Sequence, residues 1–273
     1  MSGWLSQAFA GPADWAYGIG WWLRAFSRVG TPDAFRDPGP DSDHHTPLVL
    51  LPGIWERWPY LVPLARSLNA AGHPVHLIAA LGANGTPLPV AERIVADYLS
   101  ERHLEDVILV AHSKGGLIGK LAMLDPSCAG RIRGMVALST PFGGSSLSWP
   151  VLSRTPLGVF DPRGAAITEL AAQQEVNARI ISLQPTHDQV IPEGSRLDGA
   201  RNVTLEAAGH FRPLRDAEVH RVIHESVHEP FAGLSKPRCD QGLDQLDQRR
   251  SIGSAGADHR HCDREFQRRD RGR

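Results

Sequence analysis

Between residues 46 and 233, short runs of consecutive apolar residues alternate with stretches of helical periodicity, and this alternation limits what the 273-residue chain can fold into. The runs are Leu48-Val49-Leu50-Leu51, 75–81, Val107-Ile108-Leu109-Val110, 134–138, Ile180-Ile181-Ser182-Leu183 and 202–206. Most are apolar at successive positions rather than at every second one, so both faces of each strand must be covered. Between them, segments 60–71, 90–104, 115–124 and 214–228 carry apolar residues at helical spacing. Examples are Leu61, Leu64, Ala65 and Leu68, and Val219, Val222, Ile223 and Val227. Strands alternating with helices predict an α/β fold: a mostly parallel sheet of about six strands with helices on both faces. Sites in such sheets form beyond the carboxyl ends of the strands.

The flanks differ from this centre. Residues 1–45 form an aromatic-rich extension with four of the seven tryptophans, Trp4, Trp15, Trp21 and Trp22. Residues 234–273 carry many Arg and Asp and few large apolar side chains, so the composition predicts a disordered charged tail. A net charge of −1 argues against broad nucleic-acid binding. Three cysteines without close spacing give neither a disulfide framework nor a zinc knuckle, and fit free thiols in a reducing compartment. Ala8-Phe9-Ala10 has the form of a cleavage site, but no basic residue precedes it and residues 1–7 are short and polar. No apolar run is long enough to span a bilayer. These features together predict a cytoplasmic protein. Residues 1–30 leave two readings open: an extra helix packed on the core, or peripheral contact with a membrane or lipid interface, where Trp and Tyr are favoured.

The chemistry concentrates where strands end. The third apolar run leads into Ala111-His112-Ser113-Lys114-Gly115-Gly116 and at once into a helical pattern. A strand that turns into a helix at a serine flanked by small residues is a nucleophile elbow, with the hydroxyl at the positive end of the helix dipole. A serine nucleophile needs oxyanion donors. The Lys114 N–H is one, and the Ile54 N–H, in the loop after the first strand, is the expected second, with Trp55 as its neighbouring alternative. Asp188 lies just past the fifth strand and His210 just past the sixth, as an orienting acid and a general base require. His112 reads as an elbow-packing residue. The Lys114 side chain reads as reaching solvent or as facing acidic or short polar acyl groups. His220, His224 and His228 recur every fourth residue and fit a solvated helix face. The ligand-type residues at 41–45 and 259–262 match no metal-site pattern, so no metal is expected.

Leu51-Pro52-Gly53, the elbow segment, Ser139-Thr140-Pro141-Phe142-Gly143-Gly144-Ser145, Asp188-Gln189-Val190-Ile191-Pro192 and Gly209-His210 resemble the α/β-hydrolase superfamily over about residues 46–230, in its lipase and esterase-like branch. The Ser139–Ser145 segment is similar to the T-P-H-x-G-S segment of bacterial triacylglycerol lipases, with Phe142 where His is usual. Pro52 stands where many relatives have His. The resemblance implies a single hydrolase domain over 46–233 with a short lid near 143–165, and a Ser113, Asp188, His210 triad acting without a cofactor on a small-molecule or lipid ester. Trp55, Phe142, Trp149, Leu157 and Phe160 are the substrate contacts it suggests. A thioesterase or acyltransferase with the same triad, or a non-catalytic binding protein of this fold, are the alternatives.

Overall fold

The apolar runs form the strands of one sheet. A computed structural model describes residues 2–27, 30–38, 46–148 and 154–231. The charged tail from 234, the segments 41–45 and 259–262, and Trp149 lie outside these residues. The strands are β1 (Leu48–Leu51), β2 (Val75–Leu77), β3 (Val107–His112), β4 (Ile132–Leu138), β5 (Ile180–His187) and β6 (Arg201–Ala208). All pair in parallel, in the order β2-β1-β3-β4-β5-β6. The sheet and its helices are those of the α/β-hydrolase fold.

The helices are α1 (Ser2–Ser27), α2 (Val62–Ala70), α3 (Leu88–Glu101), α4 (Lys114–Leu124), α5 (Ala165–Ala172) and α6 (Ala217–Val227). Alternate side chains of β1, β3, β4 and β5 enter different cores. Val49, Leu51, Leu109 and Ala137 pack with α3, α4 and α5. Leu48, Leu50, Ile108 and Val136 pack with α2, α6 and part of α1. This two-sided burial is why the runs show no polar alternation. Helix α4 lies so close to the sheet that a Cβ at Gly119 would sit 2.5 Å from Met135 Sδ.

Three segments differ from the sequence expectation. The second strand is three residues long rather than seven, because the chain turns into a 3-10 segment at Ala79–Leu81 and Leu81 packs in the core from there. Strand β5 continues past its apolar run through Gln184-Pro185-Thr186-His187, with a register irregularity at the proline. Helix α5 offers only Ile167 and Leu170 to the core, too few to make a visible period.

Helix α1 places Asp14, Gly18, Trp21 and Ala25 on one buried stripe. Trp21 donates its indole N–H to the Tyr60 carbonyl at 3.2 Å, and the Arg215 guanidinium lies 3.7 Å from its ring centre. The stripe docks beside the loop after β6, where a Cβ at Gly18 would come within 2.7 Å of the Phe211 ring. Trp15, Ile19, Trp22 and Leu23 stay exposed on the same helix. Among the described residues no helix is long and apolar enough to cross a membrane.

Candidate active site

Ser113 sits between β3 and α4 at φ 52° and ψ −120°, a conformation an L-residue adopts only when its surroundings enforce it. The enforcement is visible on both sides. A Cβ at Gly115 would lie 2.4 Å from the Leu51 carbonyl oxygen, and one at Gly116 would lie 2.0 Å from Thr140 Oγ1. Only glycines let the first turn of α4 wedge between the end of β1 and the segment after β4. The Ser113 N–H is held by the Leu138 carbonyl at 2.9 Å. As the first residue of α4, Lys114 presents one of the N–H groups that no intrahelical carbonyl can accept. Ile54 borders the same cavity as Ser113, in a turn where the Gly53 N–H donates to Glu56 Oε2 at 2.6 Å.

The Lys114 side chain neither reaches solvent nor faces the substrate space. It is buried, and Nζ donates to the carbonyls of Asn84 at 2.8 Å and Thr86 at 2.5 Å. Burial lowers its pKa to about 8. The ammonium staples the elbow to the loop after β2.

Asp188 follows β5 directly, and His210 follows β6 after Gly209, whose φ is +105°. His210 Nδ1 lies 2.8 Å from Asp188 Oδ2. The other carboxylate oxygen of Asp188 accepts the N–H groups of Val190 and Ile191 at 2.8 and 2.9 Å. Burial pushes the Asp188 carboxyl upward, but His210 and these hydrogen bonds outweigh it and hold the group below the ordinary aspartate value. The acid is therefore ionised and its orientation fixed.

Two buried carboxylates complete the site, and both escaped sequence reasoning. Asp14 of α1 accepts the backbone N–H groups of His210 at 2.8 Å, Phe211 at 3.1 Å and Arg212 at 2.9 Å, and the side-chain amide of Gln189 at 2.6 Å. Glu56 lies 2.9 and 3.0 Å from His112 Nδ1 through its two oxygens. His112 Nε2 faces the His210 carbonyl at 3.1 Å. The ring thus lies between a carboxyl group and a carbonyl oxygen, a setting that favours protonation of both its nitrogens. Burial opposes that charge, yet the Glu56 carboxylate and the two hydrogen bonds raise the pKa above the ordinary histidine value. His112 is thus more than an elbow-packing residue: it ties the elbow to two loops.

Ser113 and His210 open onto one cavity of about 450 Å³. Trp55, Leu157 and Phe160 line it as the sequence suggests, whereas Phe142 does not. Phe142 is buried in the α4 side of the core, and Pro141 and Ser145 line the cavity instead. The unexpected wall comes from α1, through Trp15, Ile19 and Trp22. Two of the wall hydroxyls are turned away: Ser145 Oγ donates to the Val190 carbonyl and Ser148 Oγ to the Leu157 carbonyl, each at 2.7 Å. What remains is an apolar chamber with a serine and an aspartate-paired histidine at its floor.

Residues 48–182 match the model of the alpha/beta hydrolase family, a span that includes Ser113 and ends before Asp188 and His210. No curated protein matches the chain. Among solved structures, a monoacylglycerol lipase from Paleococcus ferrophilus is 20% identical, over 67% of this chain and 96% of that one, with a TM-score of 0.54. Lipase B of Aspergillus fumigatus is 16% identical over 75% of this chain and 56% of that one, with a TM-score of 0.57. A Bacillus licheniformis lipase is 15% identical over 73% and 52%, with a TM-score of 0.51. At these identities the likeness is one of fold.

Because the Asp14 carboxylate gathers three successive N–H groups of the His210 loop, Asp14→Ala should lower stability by roughly 3 kcal/mol. Amide hydrogen exchange at His210, Phe211 and Arg212 should quicken more than exchange in β1 and β3. Uniform quickening, or none, would show that this carboxylate does not hold the loop.

Proposed function

Because the chain belongs to the α/β-hydrolase superfamily, we propose that it hydrolyses carboxylic esters of apolar acids by acyl transfer through Ser113, His210 and Asp188. The observation that carries this reading is the 2.8 Å contact between His210 and Asp188 beside a cavity that Ser113 also lines. His210 Nε2 takes the Ser113 proton as Oγ attacks the ester carbonyl. The oxyanion is received by the N–H groups of Ile54 and Lys114, at the positive end of α4. His210 returns the proton to the departing alcohol, leaving an acyl-enzyme on Ser113. His210 then activates a water, which releases the acid. Asp188 stays ionised and keeps the Nδ1 proton of His210 in place throughout. No step calls for a cofactor. Cys128 is a free, buried thiol, in keeping with a reducing compartment.

The chamber favours an acyl chain over a polar acid, since apolar side chains dominate its wall and the hydroxyls of Ser145 and Ser148 are already bonded to carbonyls. Each buried methylene contributes about 0.8 kcal/mol. On a panel of nitrophenyl esters, kcat/KM should rise by about fourfold per added methylene until the cavity is filled. Ser113→Ala should lower turnover on every ester by three or more orders of magnitude while keeping the melting temperature. Turnover near wild type in Ser113→Ala would sink the mechanism. Activity confined to acyl-thioesters, or transfer to an alcohol in place of water, would turn the reading to a thioesterase or acyltransferase.

The exposed rings and aliphatic chains of Trp15, Ile19, Trp22, Leu23, Trp55 and Leu147 suit a mouth that meets a lipid–water interface. On this reading α1 docks by one stripe and offers another to lipid. The substitution Leu23→Asp, at an exposed position of α1 that does not line the cavity, should leave hydrolysis of soluble short-chain esters within about twofold, because exposed positions carry little stability. Its activity on emulsified triacylglycerol should fall by tenfold or more, about 1.4 kcal/mol of lost adsorption. Equal activity ratios on both substrates would rule the interface out.

A further inference from the structure

Three imidazoles converge on the side of the sheet opposite the candidate active site. His73 precedes β2, and Thr46, its partner, precedes β1, so both lie at the amino ends of strands. His224 is in the last turn of α6, and His228 follows that helix directly. Ser113, Asp188 and His210, by contrast, follow the carboxyl ends of β3, β5 and β6. The sequence trio His220, His224 and His228 does not itself assemble. His220 is buried, with Nε2 2.9 Å from the Leu214 carbonyl, and His73 takes its place beside the other two.

The three side chains are close enough to hold a metal ion. One ring nitrogen from each of the three residues lies within 4.8 Å of the others. The ring centres are 5.6 Å apart for His73 and His224, 5.2 Å for His73 and His228, and 4.7 Å for His224 and His228. His224 Nε2 and His228 Nε2 are 3.3 Å apart. Two nitrogens bound at about 2.0–2.1 Å to a tetrahedral zinc ion are separated by about 3.3–3.4 Å, so this edge already has the required length. His73 is prepared in a second way. Its Nδ1 lies 3.0 Å from the Thr46 carbonyl, which can only accept. That nitrogen therefore carries a proton, and in the neutral ring Nε2 is the atom left to coordinate. A backbone carbonyl on the far nitrogen is the partner that metal-bound histidines use to fix tautomer and ring direction.

From these distances we propose that His73, His224 and His228 bind a zinc-class divalent ion, with water as the fourth ligand. An all-imidazole set suits Zn²⁺ and excludes Mg²⁺ and Ca²⁺, which need oxygen ligands. The ion would clamp the end of α6 to the segment between α2 and β2, remote from the ester chemistry. Its role is to stabilise the fold, and it does not depend on what Ser113 does.

The full-length chain, stripped with EDTA, would be titrated with Co²⁺ followed by its d–d absorption, then with Zn²⁺ by competition. One tight equivalent with tetrahedral Co²⁺ bands and no thiolate charge transfer is expected. Saturating Zn²⁺ should raise the melting temperature by about 5 °C. His224→Gln and His228→Gln should each weaken Zn²⁺ binding by about 100-fold, the upper end of what loss of a supporting partner alone costs. Both residues lie at the end of a helix and are at least partly exposed, so the metal-free variants should melt with the metal-free wild type. The double substitution His259→Gln, His261→Gln should change nothing. Zn²⁺ binding that survives both helix substitutions, that is lost with the 259/261 pair, or that fails in the wild type at millimolar metal would overturn the proposal.

Discussion

The buried pair of Glu56 and His112 holds together the three segments that must meet for this site to exist. Glu56 accepts the Gly53 N–H and so shapes the turn that presents Ile54. Through His112 it is tied to the last residue of β3, next to Ser113, and through His112 Nε2 to the carbonyl of His210. A lone carboxylate or imidazolium at this depth would cost several kcal/mol, so each requires the other. Asp14 holds the same histidine from the opposite side, by its N–H. The His210 backbone is thus pinned at both its donor and its acceptor, while its ring remains directed by Asp188.

This arrangement explains why the elbow can keep Ser113 at positive φ. Strain of that kind costs on the order of 1–3 kcal/mol and persists only where neighbours over-determine it. Here the neighbours are the glycines at 115 and 116, the Leu138 carbonyl and the buried Lys114 ammonium. On the proposed mechanism, a serine held this way would need no reorganisation before attack, which is where a preorganised site gains its rate.

The sheet was legible because β1 to β4 and the start of β5 are buried on both faces, and a continuous run such as Leu48 to Leu51 has few other uses; the edge strand β6 departs from that expectation, since most of its residues are exposed or half-buried. The positions of Ser113, Asp188 and His210 beyond the carboxyl ends of β3, β5 and β6 were legible because each follows an apolar run directly or within a few residues. The support around them was not. Asp14 contacts His210 across 196 positions of sequence, and a single acid in an aromatic helix carries no local signal. Lys114 reads as a surface cation because the carbonyls that bury it belong to a loop about thirty residues earlier. Phe142 occupies a motif position, but its side chain is buried in the α4 side of the core and does not line the cavity. The cavity wall from α1 is a product of docking, and docking depends on the gap left at Gly18 as much as on the rings around it.

The account stands or falls on Ser113 being the activated nucleophile. Its most direct test is to react the folded protein with a fluorophosphonate and locate the adduct by intact mass and peptide mapping. One label per chain, on Ser113, that is blocked by prior occupation of the cavity with a long-chain boronic acid is the predicted result. Labelling of another residue, or no labelling of the native protein under conditions that modify a known serine hydrolase, would contradict it.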